Sequence, residues 1–153
     1  MRLSLVFAAA VFVSGAFAAG PFYLGAWKIG SAVVAPWWDS PGKPDPAGVK
    51  EFVGKTVTIK VGEIVAPGPL ACQGPKYKVR DSPAEGLFQG AFDEMRRRDK
   101  SVDPAQVAAT LGFRGTSWKT LETGCANELD YHFVDPNTVE FGLNNYVYFL
   151  KKQ

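Results

Sequence analysis

Alternation of apolar and polar positions governs most of this chain. In Thr56 to Val61, Val57, Ile59 and Val61 fall on one side and Thr56, Thr58 and Lys60 on the other, the period of a half-buried strand. Leu24 to Val34 places Trp27, Ile29 and Val33 in the same way, and Lys76 to Arg80 repeats it briefly with Tyr77 and Val79 inward. The period returns in Thr116 to Thr123 around Trp118, in Leu129 to Val134 with Tyr131 and Phe133, and in Thr138 to Leu143 with Val139, Phe141 and Leu143. Tyr146 to Leu150 is apolar on both faces, which predicts a strand covered on two sides.

Between these stretches the period changes. Leu87, Phe88, Ala91, Phe92 and Met95 recur at helical spacing, with Gln89, Asp93, Glu94, Arg96 and Arg97 largely opposite. A second helix is signalled by Asp103 as N-cap, Pro104 at the first helical position, the stripe Val107, Ala108 and Leu111, and Gly112 as the stop. Four prolines between Pro36 and Pro46 forbid a helix or central strand there, so that stretch is a loop. Asp135-Pro136-Asn137 and Asn144-Asn145 are turns. The count is about seven strands joined mostly by hairpins, and such connections favour antiparallel pairing. The expected fold is mainly β with a helical insertion: a small antiparallel barrel or strongly curved sheet with two helices on one face or at one opening.

Composition narrows the function classes. The chain has 153 residues, enough for one ordinary domain, and its net charge of +2 lacks the positive field that a nucleic-acid binder sets against phosphates. Residues 1–18 carry Arg2, an apolar run from Leu3 to Val13, and Ala16-Phe17-Ala18, the pattern of a signal peptide cut after Ala18. The run is too short for the roughly 20 residues of a membrane-spanning helix. The expectation is therefore an exported chain, periplasmic or extracellular, with residues 19–153 forming a single β-rich domain free of transmembrane segments. In an oxidising compartment the two cysteines, Cys72 and Cys125, are expected to pair. The bridge would close a loop of about 54 residues and remove about 4 kcal/mol of unfolded-state freedom. A metal pair and a catalytic thiol are the competing readings, but only His132 could complete a metal site, and a thiol nucleophile would leave the second cysteine without a role.

Gly25-Ala26-Trp27 at the head of the first strand, followed by the antiparallel run, resembles the Gly-x-Trp opening of the lipocalin-like, or calycin, barrels. The resemblance implies a barrel whose base is closed by Trp27, and the chain also looks like a small exported bacterial protein.

No motif names a reaction. His132 stands alone on the strand face opposite Tyr131 and Phe133, and no serine lies in a Gly-x-Ser-x-Gly elbow, so the residue reads as exposed or locally bonded and no catalytic residue is assigned. Asp93, Glu94, Asp99, Asp103, Glu122, Glu128, Asp130 and Glu140 could in principle supply paired carboxylates for a hydrolase. No cofactor or metal is expected. Arg96, Arg97 and Arg98 read either as a solvated helix end or as a contact for an acidic partner, with Glu94 placed four residues before Arg98 for a surface pair. Trp37 and Trp38 cannot easily both point inward from a proline-rich loop, so they serve either as a plug or, with Tyr23, as a ligand- or partner-binding surface. The leading expectation is a noncatalytic binding module for a small apolar ligand or an envelope protein. Its alternatives are an inhibitor or accessory subunit of an envelope enzyme, or a carboxylate-dependent envelope hydrolase.

Overall fold

A computed structural model describes residues 20–153; the expected signal peptide lies outside them. Nine strands form one antiparallel sheet: β1 (Gly25–Val34), β2 (Thr56–Ile59), β3 (Glu63–Val65), β4 (Cys72–Gln73), β5 (Lys78–Ser82), β6 (Trp118–Glu122), β7 (Asp130–Asp135), β8 (Thr138–Leu143) and β9 (Tyr146–Lys152). Their order across the sheet is β4-β3-β2-β1-β9-β8-β7-β6-β5. The two strands beyond the expected seven are β3 and β4, of three and two residues, too short to show a period in a Gly- and Pro-rich stretch.

Side chains from strands far apart in that order share one buried cluster. Trp27, Val57, Ile59 and Ile64 pack with Leu121, Tyr131, Phe133, Phe141 and Tyr148, which requires the sheet to curl into a half-barrel with this cluster on its concave face. The seam between the sheet edges is crossed by the Cys72–Cys125 disulfide, whose partners lie 53 residues apart in sequence. Tyr77 Oη donates to the Lys60 carbonyl at 2.8 Å, and Asn127 Nδ2 to the Pro69 carbonyl at 2.9 Å, across the same gap.

The convex face is also covered. Helix α1 (Ala47–Phe52) sends Phe52 into the concave cluster, whereas α2 (Ala91–Arg98) and α3 (Pro104–Thr110) build a second one. There Leu87, Phe88, Phe92, Leu111 and Phe113 pack on Trp118 and Val147. Strand β9 is thus buried on both faces, Tyr148 and Leu150 inward and Val147 outward, as its continuous apolar run predicts. The Asp103 side chain caps α3 by accepting from the Ala105 N–H at 2.9 Å.

Several expectations need correction. Val61, expected on the side of Val57 and Ile59, lies beyond the end of β2 and is exposed, and Val79, expected inward on the edge strand β5, is exposed as well. The β1–β9 register shifts between Ile29 and Ser31, so the extra residue Gly30 reverses the alternation. Val33 is consequently exposed while Ala32 and Val34 pack inward. The helix expected from Leu87 onward begins only at Ala91, because Phe88 and Gln89 adopt left-handed backbone angles, with φ of 48° and 57°. Leu87, Phe88 and Phe92 still share a cluster, so the apolar spacing reported burial correctly and conformation wrongly. Among the described residues, no helix is long and apolar enough to cross a membrane.

Candidate functional site

A row of polar side chains crosses the convex face beneath the helices. Thr120 on β6 pairs in register with His132 on β7, which pairs with Glu140 on β8, so the three point the same way from adjacent strands. All are buried, together with Ser82 of β5. Ser82 Oγ lies 2.8 Å from Thr120 Oγ1, which lies 3.0 Å from His132 Nδ1. His132 Nε2 accepts the backbone N–H of Phe88 at 3.1 Å.

These contacts fix the state of the imidazole. An Nε2 that accepts an amide hydrogen bond carries no proton, so the single proton of the neutral ring sits on Nδ1 and is donated to Thr120 Oγ1. Burial, reinforced by Arg80, holds the ring neutral and lowers its pKa to about 3. Far from being exposed, His132 has both nitrogens committed to holding structure. Glu140 is fully buried and neither of its carboxyl oxygens has a hydrogen-bond partner. Burial raises its pKa to about 9 against the opposing influence of Lys151, so at neutral pH it is a carboxylic acid.

Above this row lies a cavity of about 270 Å³ lined by Trp37, Phe88, Gln89, Asp130, His132 and Gly142, and by Leu143, Asn144 and Asn145 of the β8–β9 hairpin. Its floor depends on Gly142: a Cβ there would come within 3.2 Å of Trp37 Cη2 and 3.3 Å of Phe88 Cδ1. The missing side chain lets both rings lie against the strand, which is a known use of glycine inside a strand. Trp37 packs on Phe88 and Phe92 at ring separations of 5.3 and 6.2 Å. Asn144 and Asn145 take the left-handed angles of a two-residue hairpin turn, with φ of 50° and 64°. Gln89 Nε2 donates to the Glu128 carbonyl, which leaves its side-chain oxygen for other partners. Asp130 is half-buried, and burial together with the neighbouring Glu122 raises its pKa. Gln89 and Asp130 also line an adjoining cavity of about 460 Å³ with Glu122, Thr123 and Glu128.

The residues singled out in the sequence do not converge. Trp37 walls this cavity. Trp38 is half-buried, its Nε1 donating to the Gly42 carbonyl at 3.0 Å, and lines a separate cavity of about 230 Å³ that shares Asn144 and Asn145 with the first. Tyr23 packs against the concave cluster beside Tyr77, and its carbonyl accepts the indole N–H of Trp27. The three basic residues are engaged separately: Arg96 with Asp93 and Glu85, Arg97 with Asp93 and Glu94, and Arg98 with Asp39. Arg98 therefore reaches across to the proline-rich loop, and Glu94 pairs three residues on instead of four. Of the carboxylates considered, Asp130 reaches the cavity and Glu140 lies sealed nearby. Gln89, Gly142, Asn144 and Asn145 were not singled out; a glycine inside a strand and an amide pair in a tight turn were the available signals. Among the described residues, no group of three or more His, Cys, Asp and Glu side chains gathers as a metal site would.

Compared with family models, curated proteins and solved structures, the chain gives no match.

Proposed function

We propose that this chain is an exported, noncatalytic binding module whose ligand sits in the cavity over Gly142. The observation that carries this reading is the pairing of Trp37 with Asn144, Asn145, Gln89 and Asp130 around one opening, an aromatic wall facing a few convergent polar groups. The concave face offers less room, because it is filled by Trp27, Tyr131, Phe141 and Tyr148. A disulfide is in keeping with export. The groups that could do acid–base work are poorly placed for it. His132 has both nitrogens occupied and Glu140 is out of solvent, so within the cavity over Gly142 a hydrolase would be left with Asp130 where two carboxylates flanking the bond are needed; Glu122 and Glu128 line the adjoining cavity instead.

The test is a nuclear magnetic resonance screen of the disulfide-bonded protein against a library of soluble small-molecule fragments. Binding is expected to move the Trp37 indole N–H and the side-chain amides of Gln89, Asn144 and Asn145. Fragments that bind but map only to other surfaces would overturn the reading, as would a hydrolytic activity that Asp130→Asn abolishes.

A further inference from the structure

Resting on that reading, we propose that the cavity over Gly142 recognises a neutral oligosaccharide, one sugar ring stacking on Trp37 and the chain running on past Asp130. Two features of the lining select this class. Trp37 supplies an aromatic face whose negative quadrupole attracts the polarised C–H groups of a pyranose ring. Asn144, Asn145, Gln89 and Asp130 line the same cavity, and their planar polar ends can between them donate to and accept from adjacent hydroxyl groups.

Charge separates this class from anionic ligands most sharply. Neither lysine nor arginine lines this cavity, so a phosphate, sulfate or uronate would meet Asp130 without a counter-charge. An amine would meet Asp130 and, in the adjoining cavity, Glu128 and Glu122, of which Glu122 is already paired with Arg80 and Lys78; the cavity over Gly142 itself offers an amine Asp130 alone. Uncharged hydroxyl groups suit the remaining amides best.

The turn residues add a further sign. A two-residue hairpin with both residues left-handed prefers glycine at its second position, yet Asn145 stands there and lines the cavity. The turn thus places an amide where glycine would fold more easily. Extension follows from the adjoining cavity of about 460 Å³, which shares Gln89 and Asp130 and adds Thr123 and Glu128. A linear chain of sugars can therefore continue from the Trp37 end toward the β6–β7 loop.

The experiment is calorimetric titration of the disulfide-bonded protein with cellotetraose, maltotetraose and a tetramer of N-acetylglucosamine, with a heparin tetrasaccharide and spermidine as anionic and cationic arms. At least one neutral tetrasaccharide is expected to bind. Asn145→Gly keeps the turn and removes one amide, so it should weaken binding about tenfold, while Trp37→Ala should weaken it further. Arg97→Ala, on the exposed side of α2, should leave affinity unchanged. If library fragments map to the cavity while no neutral saccharide binds, or if spermidine or heparin binds there instead, the saccharide assignment falls and the binding-module reading stands. If neutral saccharides bind but Asn145→Gly and Trp37→Ala bind them as well as the parent does, the location is wrong. If nothing binds at the cavity in either experiment, both readings fall.

Discussion

The backbone N–H of Phe88 is held by the imidazole Nε2 of His132 at 3.1 Å, two residues 44 apart in sequence. Phe88 carries a left-handed φ of 48°, a conformation that a bulky residue keeps only when its surroundings enforce it. The histidine is thus the prop for the turn that sets the Phe88 ring over Gly142. His132→Phe should cost about 1–3 kcal/mol, the usual penalty for a buried donor left unpaired. Hydrogen exchange locates the effect: the Phe88 amide should lose protection while those of β8 and β9 keep theirs. Unchanged protection at Phe88 would show that the turn holds itself.

Glu140 and His132 together predict a stability plateau with two falling sides. Glu140 is raised in the folded state to about 9 from an ordinary 4.5, so the folded protein binds more protons than the unfolded chain across that interval. Its contribution is complete below about pH 4.5 and is lost as pH rises toward 9. His132 is lowered to about 3 from 6.5, so its contribution is complete above about pH 6.5 and is lost as pH falls toward 3. The two slopes oppose each other between about pH 4.5 and 6.5, and each limb outside that window should fall by roughly 1.4 kcal/mol per pH unit. Glu140→Gln should abolish the alkaline limb and stabilise the protein at pH 8 by on the order of 3 kcal/mol, read from guanidinium unfolding. Equal stability of parent and variant at pH 8 would mean that Glu140 ionises freely in the fold.

The disulfide should be worth about 4 kcal/mol, the chain-entropy value for a closed loop of this length. Paired Cys72→Ser and Cys125→Ser replacements, compared with the oxidised parent by denaturant unfolding, should show that loss. Mass spectrometry of the unreduced parent should find no alkylatable thiol. A loss below about 1 kcal/mol would mean that the seam contacts of Tyr77 and Asn127 suffice to hold the edges together.

The tryptophans should separate by energy. Trp27 and Trp118 are both buried, on the concave and convex faces respectively, and replacing either by Ala should cost about 3–5 kcal/mol. Trp38→Ser should cost about 1 kcal/mol or less, since its ring lies in neither cluster. A large loss at Trp38 would mark the proline-rich loop as part of the folding core.

Strand alternation was legible where burial of one face imposes a period of two on the sequence, even in the four residues of β2, whereas on the edge strand β5 the apolar Val79 is exposed. It failed at Gly30, where one inserted residue reversed the phase, and in β3 and β4, which are too short to carry a period. Helical spacing placed Leu87, Phe88 and Phe92 in the right cluster but missed the left-handed turn, since what bends the chain there is His132, a residue outside any local window. Trp37 was visible as a candidate from the proline-rich loop. Its partners were not, because Gln89, Gly142 and the two asparagines become neighbours only after β8, β9 and the helical insertion have packed.

The position of β9 sets how this protein can fold. In the strand ladder, four strands from the first half of the chain and four from the second are joined through β9 alone, which pairs with β1 on one side and β8 on the other. Without residues 146–152 the two groups share no ladder of hydrogen bonds, and the concave cluster lacks Tyr146, Tyr148 and Leu150. Assembly of the sheet is therefore governed by pairing between remote segments, a slow class of search.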